Sequence, residues 1–151
     1  MNKQVSMLIL FMIAGTLSAV SAAAQTGPYQ FFAVAPCRVV DTRNPTSTNG
    51  GPILGTGTQR NFAIRGNCGV PTTAKAVSLN VTVTAATSGS FLTLWPSGGT
   101  RPVVSTINFT QNDAALANGA IVGLSTSSTD LSVFNSSGNV HVILDVTGYF
   151  Q

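Results

Sequence analysis

The segment "KAVSLNVTVTA" places Val77, Leu79, Val81 and Val83 on one parity and Ser78, Asn80, Thr82 and Thr84 on the other. Apolar residues that recur at every second position line one face of a pleated strand, so this run predicts a β-strand with one buried face. The rhythm returns in "NVHVILDVTGYF", where Val140, Val142, Leu144 and Val146 share a face. Around these runs stand "FLTLW", "VVSTINF", "GAIVGLS" and "DLSVFNS", each bounded by turn-forming Asn, Gly, Asp, Ser or Pro. At least six strands with short turns predict an all-β fold, with a single antiparallel β-sandwich of jelly-roll-like form ahead of a small barrel. Only "NDAALANGA" offers a brief helical alternative to strand, which Gly119 would end within about two turns.

Ahead of the strands, "MNKQVSMLILFMIAGTLSAVSAAAQ" has the three parts of a secretory signal: Lys3, an apolar run from Met7 to Val20, and small residues at Ala22 and Ala24. It predicts a cleaved signal peptide over residues 1–24 and a single exported β domain over 25–151; a cut after Ala22 fits the same rule. The apolar run is shorter than a membrane span and no stop-transfer charges follow it, which argues against a transmembrane anchor. The expected location is therefore secreted or at the cell surface.

Charge narrows the partners. Only 7% of the residues are charged, against roughly 25% in an average soluble domain. Solubility must rest on Ser, Thr, Asn and Gly. The chain has seven Lys and Arg, of which Lys3 lies in the signal, and they form no run and no pattern interleaved with aromatics. Nucleic acid is thereby a poor partner, lacking both a phosphate footprint and a stacking platform.

The densest chemistry is "PCRVVDTR", residues 36–43, followed by the turn-rich excursion "NPTSTNGGPILGTGTQRNFAIRGNCGVP". In an exported chain with two cysteines, the simplest reading is a Cys37–Cys68 structural disulfide. Such a bond closes the excursion, worth roughly 4 kcal/mol by loop entropy, and Ile53, Leu54, Phe62 and Ile64 are expected to dip back into the core. Arg38, Asp41 and Arg43 are candidates for a structural ion pair at the root of this loop, since Asp41 and Arg43 share a strand face.

Catalytic readings are weaker. His141 and Asp145 lie on one side of a strand, with Cα atoms about 13 Å apart, too far for contact. No GxSxG elbow is present, Asp41, Asp113, Asp130 and Asp145 are scattered, and "NDAALANG" lacks a calcium-loop rhythm. No metal, cofactor or catalytic residue is implied. A polysaccharide could use the flat faces of Trp95, Tyr29 and Tyr149 as possible ligand-binding groups, although Trp95 also suits a core or rim position. Glycosylation triplets begin at Asn80, Asn108 and Asn135.

Taken together, "PCRVVDTR", "NGGPI", "GNCGVPTTAKAVSLNVTVT", "GSFLTLWPSG", "STINF", "NGAIV", "LSVFN" and "VHVILDVTGYF" resemble a small secreted bacterial all-β domain found alone or appended to exported and cell-surface proteins. The resemblance carries no catalytic assignment and implies an accessory, adhesive or surface-structural task. The expected function is a non-catalytic exported structural or adhesive module that contacts another surface protein or its own copies; the alternatives are a carbohydrate-binding module and, more remotely, a hydrolase. The aromatic segments "YQFFAVA" and "DVTGYFQ" should pack against the core or a partner, either on each other within one subunit or by strand addition between subunits.

Overall fold

A computed structural model describes residues 27–151; the expected signal peptide and its cut lie outside them. Eight strands follow in order: β1 Phe31–Asp41, β2 Thr58–Phe62, β3 Ala76–Thr84, β4 Ser90–Pro96, β5 Ile107–Phe109, β6 Ala115–Gly123, β7 Leu131–Asn135 and β8 His141–Phe150. They form two four-stranded antiparallel sheets, ordered β1-β8-β3-β6 and β2-β7-β4-β5. The first strand pairs with the last, the second with the seventh, the third with the sixth and the fourth with the fifth. Such nested pairs describe one long hairpin wrapped around a core, the strand order of a jelly roll. No helix among the described residues is long and apolar enough to cross a membrane.

The core lies between the sheets and is built from the predicted parities. Val77, Leu79, Val81 and Val83 of β3 and Val142, Leu144 and Val146 of β8 face Phe62, Leu92, Leu94, Ile107, Phe109, Leu131 and Val133 of the second sheet. Each large side chain buried there contributes roughly 1.5–3 kcal/mol.

Three local expectations need correction. "NDAALANGA" contains no helix: β6 begins at Ala115, because Leu116, Ala120 and Val122 pack on the core at even spacing and β3 supplies an unbroken nine-residue ladder. The excursion is not wholly irregular, since it contains β2, whose pairing with β7 carries the fully buried Phe62. In "VVSTINF" only Ile107–Phe109 is strand, and Val103 and Val104 stand in solvent.

The excursion does return to the core, through Leu54, Phe62 and Ile64, while Ile53 remains half-buried. The Cys37–Cys68 disulfide closes it, with Cα atoms 5.6 Å apart. Two side chains fasten it from within. Arg60 donates to the carbonyls of Ser47, Gly50 and Pro52 at 3.2, 2.8 and 2.6 Å, and desolvation there lowers its pKa. Asn49 makes two bonds to the backbone of Ala63, at 2.7 and 3.0 Å.

The two aromatic segments pack on each other within one subunit. Phe31 pairs with Phe150, and Phe32 stacks on Tyr149 with ring centroids 5.2 Å apart. Beneath them, a Cβ on Gly148 would run into the Phe31 ring and would sit 2.8 Å from the Phe32 carbonyl oxygen. The glycine of "DVTGYF" is thus the seat of an aromatic ring across the strand pair.

Candidate functional site

Strand β4 is buried on both faces. Leu92 and Leu94 enter the core, as period two requires, but Thr93 and Trp95 on the opposite parity are also buried. Their cover is the β4–β5 connection, residues 97–106, folded over the outside of the second sheet. Gly98, at φ 83°, supplies a turn conformation that L side chains rarely adopt. Beyond it, Gly99 O accepts a 3.0 Å bond from Trp95 Nε1 and Val104 O accepts one of 2.7 Å from Thr93 Oγ1. Thr106 closes the loop by donating its N–H to Leu92 O and accepting from Leu94 N–H at Oγ1. Arg101 lies over the Phe134 ring, 3.6 Å from its centroid, a cation–π contact that pins the middle of the loop.

This rigid cover leaves a cleft of about 300 Å³ lined by Phe91, Thr93, Arg101, Val103, Val104 and Asn108. Along its rim Val103 is completely exposed and Val104 is 58% exposed. The result is an apolar ridge beside an aromatic floor, with hydroxyl, amide and guanidinium groups within reach. Sequence reasoning read 103–106 as strand and missed this surface. Its signals were the uninterrupted "FLTLW", which needs cover on both faces, and the proline ahead of the two valines.

A second depression, of about 540 Å³, is lined by Pro36, Cys37, Arg38, Asn80, Asp145 and Thr147 on the outside of the first sheet. Its charges are already engaged. Arg38 Nε donates to Asp145 Oδ1 at 2.8 Å and Nη2 to Oδ2 at 3.2 Å, a two-point pair set up by the β1–β8 register. Asp41 binds Arg43 through Nε at 2.9 Å, Nη2 at 2.6 Å and the backbone N–H at 3.1 Å, with Arg38 3.5 Å away. The Arg43 hydrogen bonds hold the Asp41 carboxyl at about 2, below its ordinary 3.8, against the opposing effect of burial. In turn, donating to Asp41 raises the pKa of Arg43, and donating to Asp145 raises that of Arg38.

Trp95, Tyr29 and Tyr149 do not form one ligand platform. Trp95 is 4% exposed beneath the β4–β5 loop on the second sheet, so its ring has no face to offer a sugar. Tyr149 belongs to the first sheet and is stacked on Phe32, and Tyr29 is half-buried ahead of β1. His141 Nδ1 contacts Thr42 Oγ1 at 3.1 Å, whereas Asp145 faces Arg38, so these two are not brought together. Among the described residues, no group of three or more His, Cys, Asp or Glu converges in a metal-binding arrangement. Of the glycosylation triplets, Asn135 is fully buried and its Nδ2 donates to Leu54, Gly55 and Gly138 carbonyls; Asn80 is half-buried and Asn108 exposed.

An ion pair that the sequence left unassigned joins Arg65 to Asp130, with Nη2 to Oδ1 at 2.5 Å and Nε to Oδ1 at 2.6 Å. Asp130 also accepts the backbone N–H groups of Ile64 and Arg65, while Arg65 donates to Ser125 O.

Together these features define a disulfide-stapled jelly-roll module with one apolar loop surface. No protein-family model and no curated protein sequence matches the chain.

Proposed function

We propose that this chain is a non-catalytic exported module that acts by contact with another protein or a cell surface, and that the β4–β5 loop makes the contact. The observation that carries the reading is the ridge of Val103 and Val104, held in solvent by a loop that hydrogen bonds and a cation–π contact fix in place. Exposed apolar groups on a preorganised loop lose little conformational entropy on binding, and the water they release favours association. The ionic groups support the same reading. Arg38, Asp41, Arg43, Arg65, Asp130 and Asp145 are spent on one another.

Retention on envelopes of the exporting host, measured by co-sedimentation, tests this function. Val103→Asp combined with Val104→Asp is expected to abolish retention while leaving the melting temperature unchanged. Unaltered retention would sink the loop assignment, and a turnover that depends on His141 would sink the non-catalytic reading.

Carbohydrate binding is the second reading, and the cleft favours it. Phe91 offers an apolar floor, and Ser105 and Asn108 offer hydroxyl and amide groups beside it. The residue to test is then Phe91 rather than the covered Trp95: a glycan array should lose its signal on Phe91→Ala.

A further inference from the structure

Four strand edges bound the two sheets: β1 and β6 in the first, β2 and β5 in the second. Open edges invite pairing with other chains, and three of these carry features that discourage it. β1 contains Pro36, Arg38 and two register shifts. β2 has five residues and carries Arg60, and β5 has only three. β6 has no such protection. Its nine residues, ALANGAIVG, include no charge and no proline, and its ladder to β3 runs from Ala115 to Gly123 without a bulge.

The ladder also fixes which backbone groups are free. Leu124 N donates to Lys75 O, so the pairs that follow at steps of two put the hydrogen-bonding groups of Leu116, Asn118, Ala120 and Val122 toward β3. Those of Ala115, Ala117, Gly119, Ile121 and Gly123 therefore point away from the sheet. Ile121 is 68% exposed.

Gly119, at the centre, has no explanation within one subunit. Its φ is not positive, no bulge interrupts the ladder there, and a Cβ would meet nothing within 4 Å. Glycine inside a strand costs roughly 0.5–1 kcal/mol relative to alanine and often marks the close approach of another backbone.

We infer that β6 pairs antiparallel with β6 of a second copy of this chain, about a two-fold axis at Gly119, joining two four-stranded sheets into one. In this register Gly119 faces its own counterpart, Ala117 faces Ile121, and Ala115 faces Gly123. Each large exposed side chain meets a small one beside an empty axis. The same surface on both copies must be self-complementary; an uncharged strand meets that condition, since no like charges come together. The inference deepens the contact-module reading by naming one partner and a surface separate from the β4–β5 loop.

Sedimentation velocity over a concentration series, on the exported protein with its disulfide intact, tests the pairing. The wild type should pass from monomer to dimer as concentration rises, and Ile121→Lys should weaken this about tenfold or more by placing a charge on the edge. Gly119→Cys gives a second reading that does not depend on the lysine variant folding. Paired Cα atoms would be about 5.5 Å apart, so a short bis-maleimide should capture this variant as a covalent dimer and leave Val103→Cys monomeric. A protein that stays monomeric at every concentration would overturn the inference. So would dimers that ignore Ile121→Lys, or capture at position 103 in place of 119. Envelope retention is read separately: its loss alone in the Val103/Val104 double variant leaves the dimer standing, and a monomer that still binds envelopes leaves the contact function standing.

Discussion

Two arginine–aspartate groups built from the same atoms sit in different surroundings. Arg38 and Asp145 meet on the outer face of the first sheet, with side chains 48% and 23% exposed, whereas Arg65 and Asp130 meet where β2 ends and β7 begins, 19% and 9% exposed. Asp145 has one arginine. Asp130 has an arginine and two backbone N–H groups, and its own backbone bonds Ser97, Ser125 and Phe62. An exposed pair is weakened by water and salt, while removing one member of a buried pair strands the other without solvent. Arg38, the first charge of the conspicuous cluster, is thus expected to contribute less to stability than Arg65, which the sequence gives no reason to single out.

The largest effect expected is that of Asp130→Ala. It orphans Arg65 and the amides of Ile64 and Arg65, and should cost about 3–5 kcal/mol in urea unfolding. A loss below about 1 kcal/mol would erase the contrast. Next comes the disulfide beside the exposed pair: Cys37→Ser with Cys68→Ser should cost about 2–4 kcal/mol. Without that closure, hydrogen exchange should show the excursion opening before the β3–β8 ladder does, with the Arg60 and Asn49 bonds limiting how far it opens. Arg38→Ala should cost no more than about 1 kcal/mol, an amount that shrinks with added salt.

Acid sharpens the comparison at Asp41, whose folded-state carboxyl is depressed from 3.8 to about 2 by its hydrogen bonds to Arg43. A depressed acid stabilises the fold above its unfolded pKa and loses that contribution as pH falls through the folded value. At neutral pH nothing changes; between pH 4 and about 2 the melting temperature should fall, with the Asp41 share of that fall missing in Asp41→Asn.

Much of this architecture was legible because it follows from period two. The parities of β3 and β8 and the two-cysteine staple could be read directly, since each depends on neighbours in sequence or on the only available partner. The second half of β6 was legible in "GAIVGLS", but its first half was obscured because Ala and Leu favour helix locally, and only pairing with β3 decides its form. β2 was hidden among Gly, Thr and Asn, where one buried phenylalanine gives little pattern. The Arg65–Asp130 pair spans 65 positions without a local cue. At the candidate site, "FLTLW" signalled two buried faces but not their cover, so the sequence left Trp95 open between a core or rim position and a ligand-binding one, and the loop over that face decides for burial.

Ion pairs hold the scaffold, and in the proposed function the apolar Val103–Val104 ridge of the β4–β5 loop makes the contact. The most direct test of that division is envelope co-sedimentation of the Val103→Asp/Val104→Asp protein beside Arg38→Ala, each first shown by circular dichroism to melt as a folded protein. The valine variant is expected to remain in the supernatant, and Arg38→Ala to pellet like the wild type. Retention of the valine variant together with release of Arg38→Ala would contradict that division, moving the contact from the β4–β5 loop to the charged face of the first sheet.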